Sequence, residues 1–150
     1  MKNIFDSSVV QEVIKRINTL DSNSTAQWGK MNIGQMLAHC SVTYEMVYED
    51  TYPKPKELKK WMLKKFIKPV VVGEKPYKKN GRTAPQYLIT DQKEFEKEKK
   101  RLIDFIYKTQ ELGASHFEGK TSHSFGPLTT KEWNIMFYKH LDHHLQQFGV

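Results

Sequence analysis

Four long stretches of the chain carry apolar residues at helical spacing, and the alternation expected of a half-buried strand is almost absent. The first runs from about Asp6 to Leu20. Val9, Val10, Val13, Ile14, Ile17 and Leu20 form its stripe, and Ser8 with Gln11 has the form of a capping box. The second runs from about Asn32 to Asp50. Asn32 is its N-cap with Gln35 three residues on, and Ile33, Met36, Leu37, Cys40, Tyr44 and Val47 share a face. The third runs from about Asp91 to Leu112, opened by Asp91 and Glu94 and closed by Gly113; Phe95, Leu102, Ile103, Phe105 and Ile106 supply its buried side. The last runs from about Thr130 to Gln147, opened by Thr129 with Glu132 and followed by Gly149. A shorter, very basic helix is expected from Lys56 to Lys68, with Leu58, Trp61, Met62 and Phe66 as its apolar residues and Pro69 as its stop. The stretch from Val70 to Ile89, punctuated by Gly73, Pro76, Gly81 and Pro85, reads as a long surface loop. Trp61 and Trp133 are expected in the core, and Trp28-Gly29-Lys30 leads into the second helix. The pattern predicts an all-α helical bundle folded as one domain over residues 1–150.

Composition narrows the class. At 150 residues with 38% hydrophobic and 27% charged positions, the chain can bury a real core. No apolar run approaches the ~20 residues of a membrane span, Val70-Val71-Val72 being among the longest. The first residues, Met1 to Asp6, lack the apolar region of a signal peptide, and the single Cys excludes an internal disulfide framework, so a cytoplasmic protein is expected. The formal net charge of +7 is uneven: residues 54–101 hold 16 basic against 6 acidic side chains, leaving the remainder acidic by 3. Such a segment is either a solvated lysine face or a surface for phosphate or an anionic membrane.

The sharpest chemistry lies in the last helix, in His140-Leu141-Asp142-His143-His144. With Trp133 at zero and ~100° per residue, His140 and His144 fall at roughly −20° and +20°, in the middle of the arc of Met136, Phe137, Leu141 and Phe148. His143 falls at its edge and Asp142 on the opposite, solvent side. Two imidazoles buried one turn apart must be satisfied, by hydrogen bonds or by a divalent metal, which satisfies both at once. His39 is the third candidate ligand. Periodicity puts it on the flank of its helix's apolar arc, where an exposed or half-exposed ring is expected. Its depth, however, ~10 Å from the start of its helix, brings it level with the pair if the two helices run antiparallel. Three neutral imidazoles on a divalent zinc, nickel or iron ion leave a coordination position open for water or a substrate anion. In the second helix, Glu45 and Tyr44 are candidate orienting or acid/base groups and Cys40 a small core residue. His123, ahead of the last helix, is expected to stabilise its loop.

The segments Trp28-Gly-Lys-Met-Asn-Ile-Gly-Gln-Met-Leu-Ala-His39 and His140-Leu-Asp-His-His144-Leu-Gln-Gln-Phe-Gly149 resemble the DinB/YfiT-like superfamily, and within it a branch known only as a domain of unknown function. His123 to Trp133 and Lys68 to Pro76 resemble the same branch, so the likeness covers nearly the whole chain. It implies a four-helix bundle of up-down-down-up type, with the short basic helix and the long loop inserted between bundle helices two and three. It also implies a divalent metal held by one histidine of the second helix and an HxxxH pair of the last, here His39, His140 and His144. Some members of the superfamily resemble S-transferases and isomerases that use low-molecular-weight thiols, many others resemble metal-dependent hydrolases, and many are dimers.

These readings lead to a metal-dependent enzyme acting on a small molecule, a hydrolase or a thiol S-transferase. His39, His140 and His144 hold the ion, and Glu45 or His143 orients ligands or moves protons. The alternatives are a metal-binding protein without turnover, in which an exposed helical face could pair two copies as a homodimer, or a module that binds an anionic surface or nucleic acid through residues 54–101. No RNA-binding, helix-turn-helix or zinc-finger signature favours nucleic acid.

Overall fold

The computed structural model describes residues 1–150. It is mostly helical. The long helices are α1 (Ser7–Asn18), α2 (Ile33–Tyr48), α5 (Phe95–Phe117) and α6 (Thr130–Gln147), and the short α3 (Glu57–Met62) and α4 (Lys68–Val71) lie between α2 and α5. The only sheet is a two-residue antiparallel pair, β1 (Thr121–Ser122) with β2 (Gly126–Pro127), in the turn between α5 and α6. No helix is long and apolar enough to cross a membrane.

Helix starts follow local chemistry where the cap is complete. Asn32 with Gln35 and Thr129 with Glu132 form reciprocal capping boxes at α2 and α6. The boxes expected at the other two long helices do not form. Ser8 lies inside α1, whose N-cap is Asp6. Asp91 pairs with Lys93 in the loop, and the N-cap of α5 falls three residues later, at Glu94, so the helix begins at Phe95. Gly113 does break α5: at φ +74 it takes a backbone conformation that side chains resist, and one further turn follows it.

The basic helix departs most from expectation. Pro69 does not end it. The chain stays helical from Glu57 to Val71 because Leu63–Ile67 widens into a π turn, with the Lys68 N–H donating to the Leu63 carbonyl. A proline ring crowds the carbonyl four residues before it and offers no N–H, and the wider turn relieves both demands. This arm turns only Leu63 and Val71 toward the core, joined by Val72 just beyond its end. Trp61, expected in the core, is 55% exposed because no element packs over that side.

The core is built between the long helices. Phe5 meets Phe117, and Lys99 reaches the carbonyl of Leu20, so α1 and α5 run antiparallel. Tyr44 stacks on Phe137 while His39 meets His144, so α2 and α6 also run antiparallel. Asn134 accepts from the Ile4 N–H and Asp142 pairs with Arg16, so α1 and α6 run in the same direction. Asp142 therefore faces α1 rather than open solvent. An aromatic stack of Phe105, Tyr44, Phe137 and Trp133 fills the centre. Trp133 is core as expected, and Cys40 is buried, its thiol against Met36.

Candidate metal centre

α2 is buried almost all round, and this decides the fate of His39. Residues from Met36 to Glu45 are all buried, because α5 and α6 cover two sides and the loop carrying Tyr87 covers a third. The expectation that His39 would be exposed or half-exposed is overturned: it is 4% exposed. Periodicity measured one face, whereas this helix has partners on several.

The antiparallel crossing of α2 and α6 brings His39, His140 and His144 together. One ring nitrogen from each lies within 4.8 Å of the others, and the Nε2 atoms of His39 and His140 are 3.0 Å apart. Two of the rings have their proton placed by their outer neighbours. His39 Nδ1 lies 2.8 Å from the Tyr87 carbonyl, which can only accept, so Nδ1 carries the hydrogen and Nε2 keeps its lone pair. His144 Nδ1 lies 2.8 Å from Gln147 Oε1, and that amide is fixed in orientation because its nitrogen donates to the Trp28 carbonyl at 2.6 Å. Gly29 makes room for the Gln147 amide: at φ +86 it lacks the Cβ that would collide with it. His140 Nδ1 lies 3.0 Å from the Thr43 hydroxyl, which also meets the Tyr87 hydroxyl at 3.3 Å.

The proton count tests whether a metal fits. Two lone pairs, on His39 and His144, point into the cluster, and His140 has one ring proton to offer. Without an ion, His140 can serve His39 through the 3.0 Å contact, and the His144 lone pair is left with no protein donor. A divalent cation satisfies all three at once. Metal–nitrogen bonds of ~2.0–2.1 Å put tetrahedral ligand nitrogens about 3.3 Å apart, within the range the side chains span. The outer partners, a backbone carbonyl, a hydroxyl and an amide oxygen, are of the kind that orients metal-binding imidazoles.

Electrostatics agree with this donor set. Burial lowers the His39 ring below its usual value, burial and the neighbouring imidazoles lower His140 well below, and burial pushes His144 down to about 3. All three are neutral near pH 7, the form that binds metal. An unfolded imidazole titrates near 6.5, so below that pH the unfolded chain takes up protons the folded chain refuses. The stability is complete above pH 6.5 and is lost as pH falls toward the folded value. Chelator-treated protein should lose about 2 kcal/mol between pH 7 and 5 from His144 alone. Urea unfolding checks this, and His144→Gln should show a shallower pH dependence; equal slopes would exclude the burial described.

The other candidates fall elsewhere. His143 is half-buried at the edge of the cluster, its ring 5.0 Å from His144 and edge-on to Tyr77 at 5.6 Å and Trp28 at 5.9 Å. The Glu45 carboxylate is taken up on the α5 side by Arg101 and by the Tyr52 hydroxyl at 2.5 Å. Tyr44 is enclosed in the aromatic stack, its hydroxyl without a partner. His123 ties its loop through Ser124 and the Tyr52 carbonyl. Thr43, Tyr87 and Gln147 were not singled out from the sequence. Thr43, one turn after His39, and Gln147, three residues after His144, were findable by helical spacing; Tyr87, 48 residues from His39, carried no such signal.

No curated protein and no solved structure matches this chain. One family model does, over residues 4–149, and the chain belongs to that family, described as Protein of unknown function (DUF1569).

Proposed function

We propose that His39, His140 and His144 hold a divalent metal ion in a metal-dependent enzyme acting on a small molecule by hydrolysis or thiol transfer. The proton count carries this reading: two imidazoles fixed by outer acceptors turn lone pairs inward, and the third cannot serve both. We further propose that the four long helices form one domain, an up-down-down-up four-helix bundle of the DinB/YfiT-like type. The helix directions support this, as does the resemblance of the Trp28–His39 and His140–Gly149 segments.

A divalent ion in this donor set supplies Lewis acidity, lowering the pKa of a ligand water or thiol. The chain's own groups do the rest. Tyr87, Thr43 and Gln147 hold the three rings in register. His143, neutral because burial lowers it, moves protons between the centre and solvent. Glu45 acts through the Arg101 and Tyr52 side chains it holds.

The test compares metal-loaded wild type with His39→Ala. Each is incubated with glutathione, bacillithiol or mycothiol and an electrophile, with adducts read by mass spectrometry, and separately with chromogenic esters and amides. A metal-dependent rate lost in His39→Ala supports the reading and separates thiol transfer from hydrolysis. Bound metal with no rate in either screen would reduce the protein to a non-catalytic metal-binding one.

A further inference from the structure

We infer that the arm from Glu57 to Val71 is a docking surface for an anionic lipid bilayer. Ten large hydrophobic residues of the chain are exposed, and six of them lie in this one stretch: Leu58, Trp61, Met62, Phe66, Ile67 and Val70. The core hides nearly everything else of comparable size, so this strip is not ordinary surface scatter.

The π turn gives the strip its shape. Leu58, Met62, Phe66 and Val70 recur every four residues, and in an uninterrupted α-helix such a series drifts ~40° per step around the axis. The wider turn over Leu63–Ile67 advances less per residue and takes that drift back. The four side chains therefore stay on one side, with Trp61 beside them. The feature that lets Pro69 stand within the run also keeps the apolar row straight.

Charge selects the occupant. Lys54, Lys56, Lys59, Lys64 and Lys65 are exposed and meet no carboxylate within ion-pair distance. The Lys65 ammonium lies over Trp61 and Phe66 at 5.0 and 5.6 Å, so cationic and apolar groups share one surface. Leucine, phenylalanine and tryptophan flanked by lysine is the composition of a helix that lies in the headgroup region, with apolar side chains among the acyl chains and ammonium groups on lipid phosphates. A second copy of the chain would set these lysines against each other. Nucleic acid would satisfy the lysines but leave Leu58, Met62 and Val70 without bases to stack on. The arm is anchored for such a role: the buried Lys139 donates to the carbonyls of Val70, at 2.8 Å, and Gly73 at its C-terminal end.

The experiment is flotation of the full chain with phosphatidylcholine vesicles, with and without phosphatidylglycerol, at low and high salt. Binding to the anionic vesicles alone, released by salt and accompanied by a blue shift of Trp61 emission, is the expected result. Lys64→Glu with Lys65→Glu should lower partitioning by about 10-fold or more, and Phe66→Ser by roughly 10-fold. All three positions are exposed, so circular dichroism and melting temperature should match wild type. No flotation at low salt overturns the proposal. So does light scattering that shows a dimer dispersed by Phe66→Ser, or tighter binding to single-stranded DNA that Phe66→Ser leaves unchanged. Metal content plays no part in these readouts, so this outcome is independent of the metal centre.

Discussion

Prepared without a polyhistidine tag, the wild-type chain should carry about one zinc, nickel or iron ion, and His140→Ala close to none, as read by inductively coupled plasma mass spectrometry. The loss should be large because the ligands act together. Structural zinc sites bind with roughly 10–16 kcal/mol over four ligands, about 3 kcal/mol each, so removing one of three weakens binding by ~100-fold or more. Removing His140 also ends the 3.0 Å approach to His39 and leaves two neutral nitrogens that hold an ion only weakly. The fold should survive, since His140 keeps some surface and its neighbours Leu141 and Phe137 supply the packing. Equal metal in wild type and variant would refute the site. No metal in either, even after reconstitution, would leave the His140–His39 hydrogen bond as the whole explanation of the cluster.

Arg101→Ala should be the most damaging single change outside the apolar core. Arg101 bridges two buried carboxylates: Glu98, 2.7 Å from Nη2, and Glu45, bonded to Nη1. Those glutamates are 6% and 7% exposed, so removing the cation strands two negative charges between α2 and α5. Breaking a buried pair costs about 3–5 kcal/mol. Arg101 is itself partly exposed, so the lower end applies, a fall in melting temperature of roughly 6–12 °C. Urea and thermal unfolding measure it. Adding Glu98→Gln to Arg101→Ala should recover part of the loss, because one stranded charge is gone. A neutral Arg101→Ala would mean that water solvates both carboxylates and that the cluster contributes nothing to stability.

Much of this was readable in sequence. The capping boxes at Asn32 and Thr129, Gly113 as the break in α5, and the apolar stripes of the long helices are local, set by residues within one or two turns. The inward direction of His140 and His144 was also local, since both lie in the middle of the apolar arc of Met136, Phe137 and Leu141. Local signals failed in two ways. Asp91 offered a cap but paired with Lys93, two residues on, a local competition. His39 lay on a flank by periodicity, yet Tyr87, far along the chain, closes over it.

The arm teaches the complementary lesson. The sequence marks Leu58, Trp61, Met62 and Phe66 as a helix's apolar residues, which ordinarily face a core, and Pro69 as a stop. Whether a face is buried depends on what packs against it, and here nothing does. Whether a proline ends a helix depends on whether the backbone can widen ahead of it, and here it does. Propensity, capping and periodicity act over a few residues, so the long helices, their order, the two inward histidines of α6 and the lysine-rich segment were legible from local pattern alone. It took the assembled fold to bring His39 into the cluster, to set the protons of His39 and His144 through Tyr87 and Gln147, to place Thr43 against His140, to neutralise Glu45 and Glu98 with Arg101, and to leave the arm's apolar row in water. Each of these depends on groups far apart in the chain meeting, or failing to meet, at distances of a few ångströms.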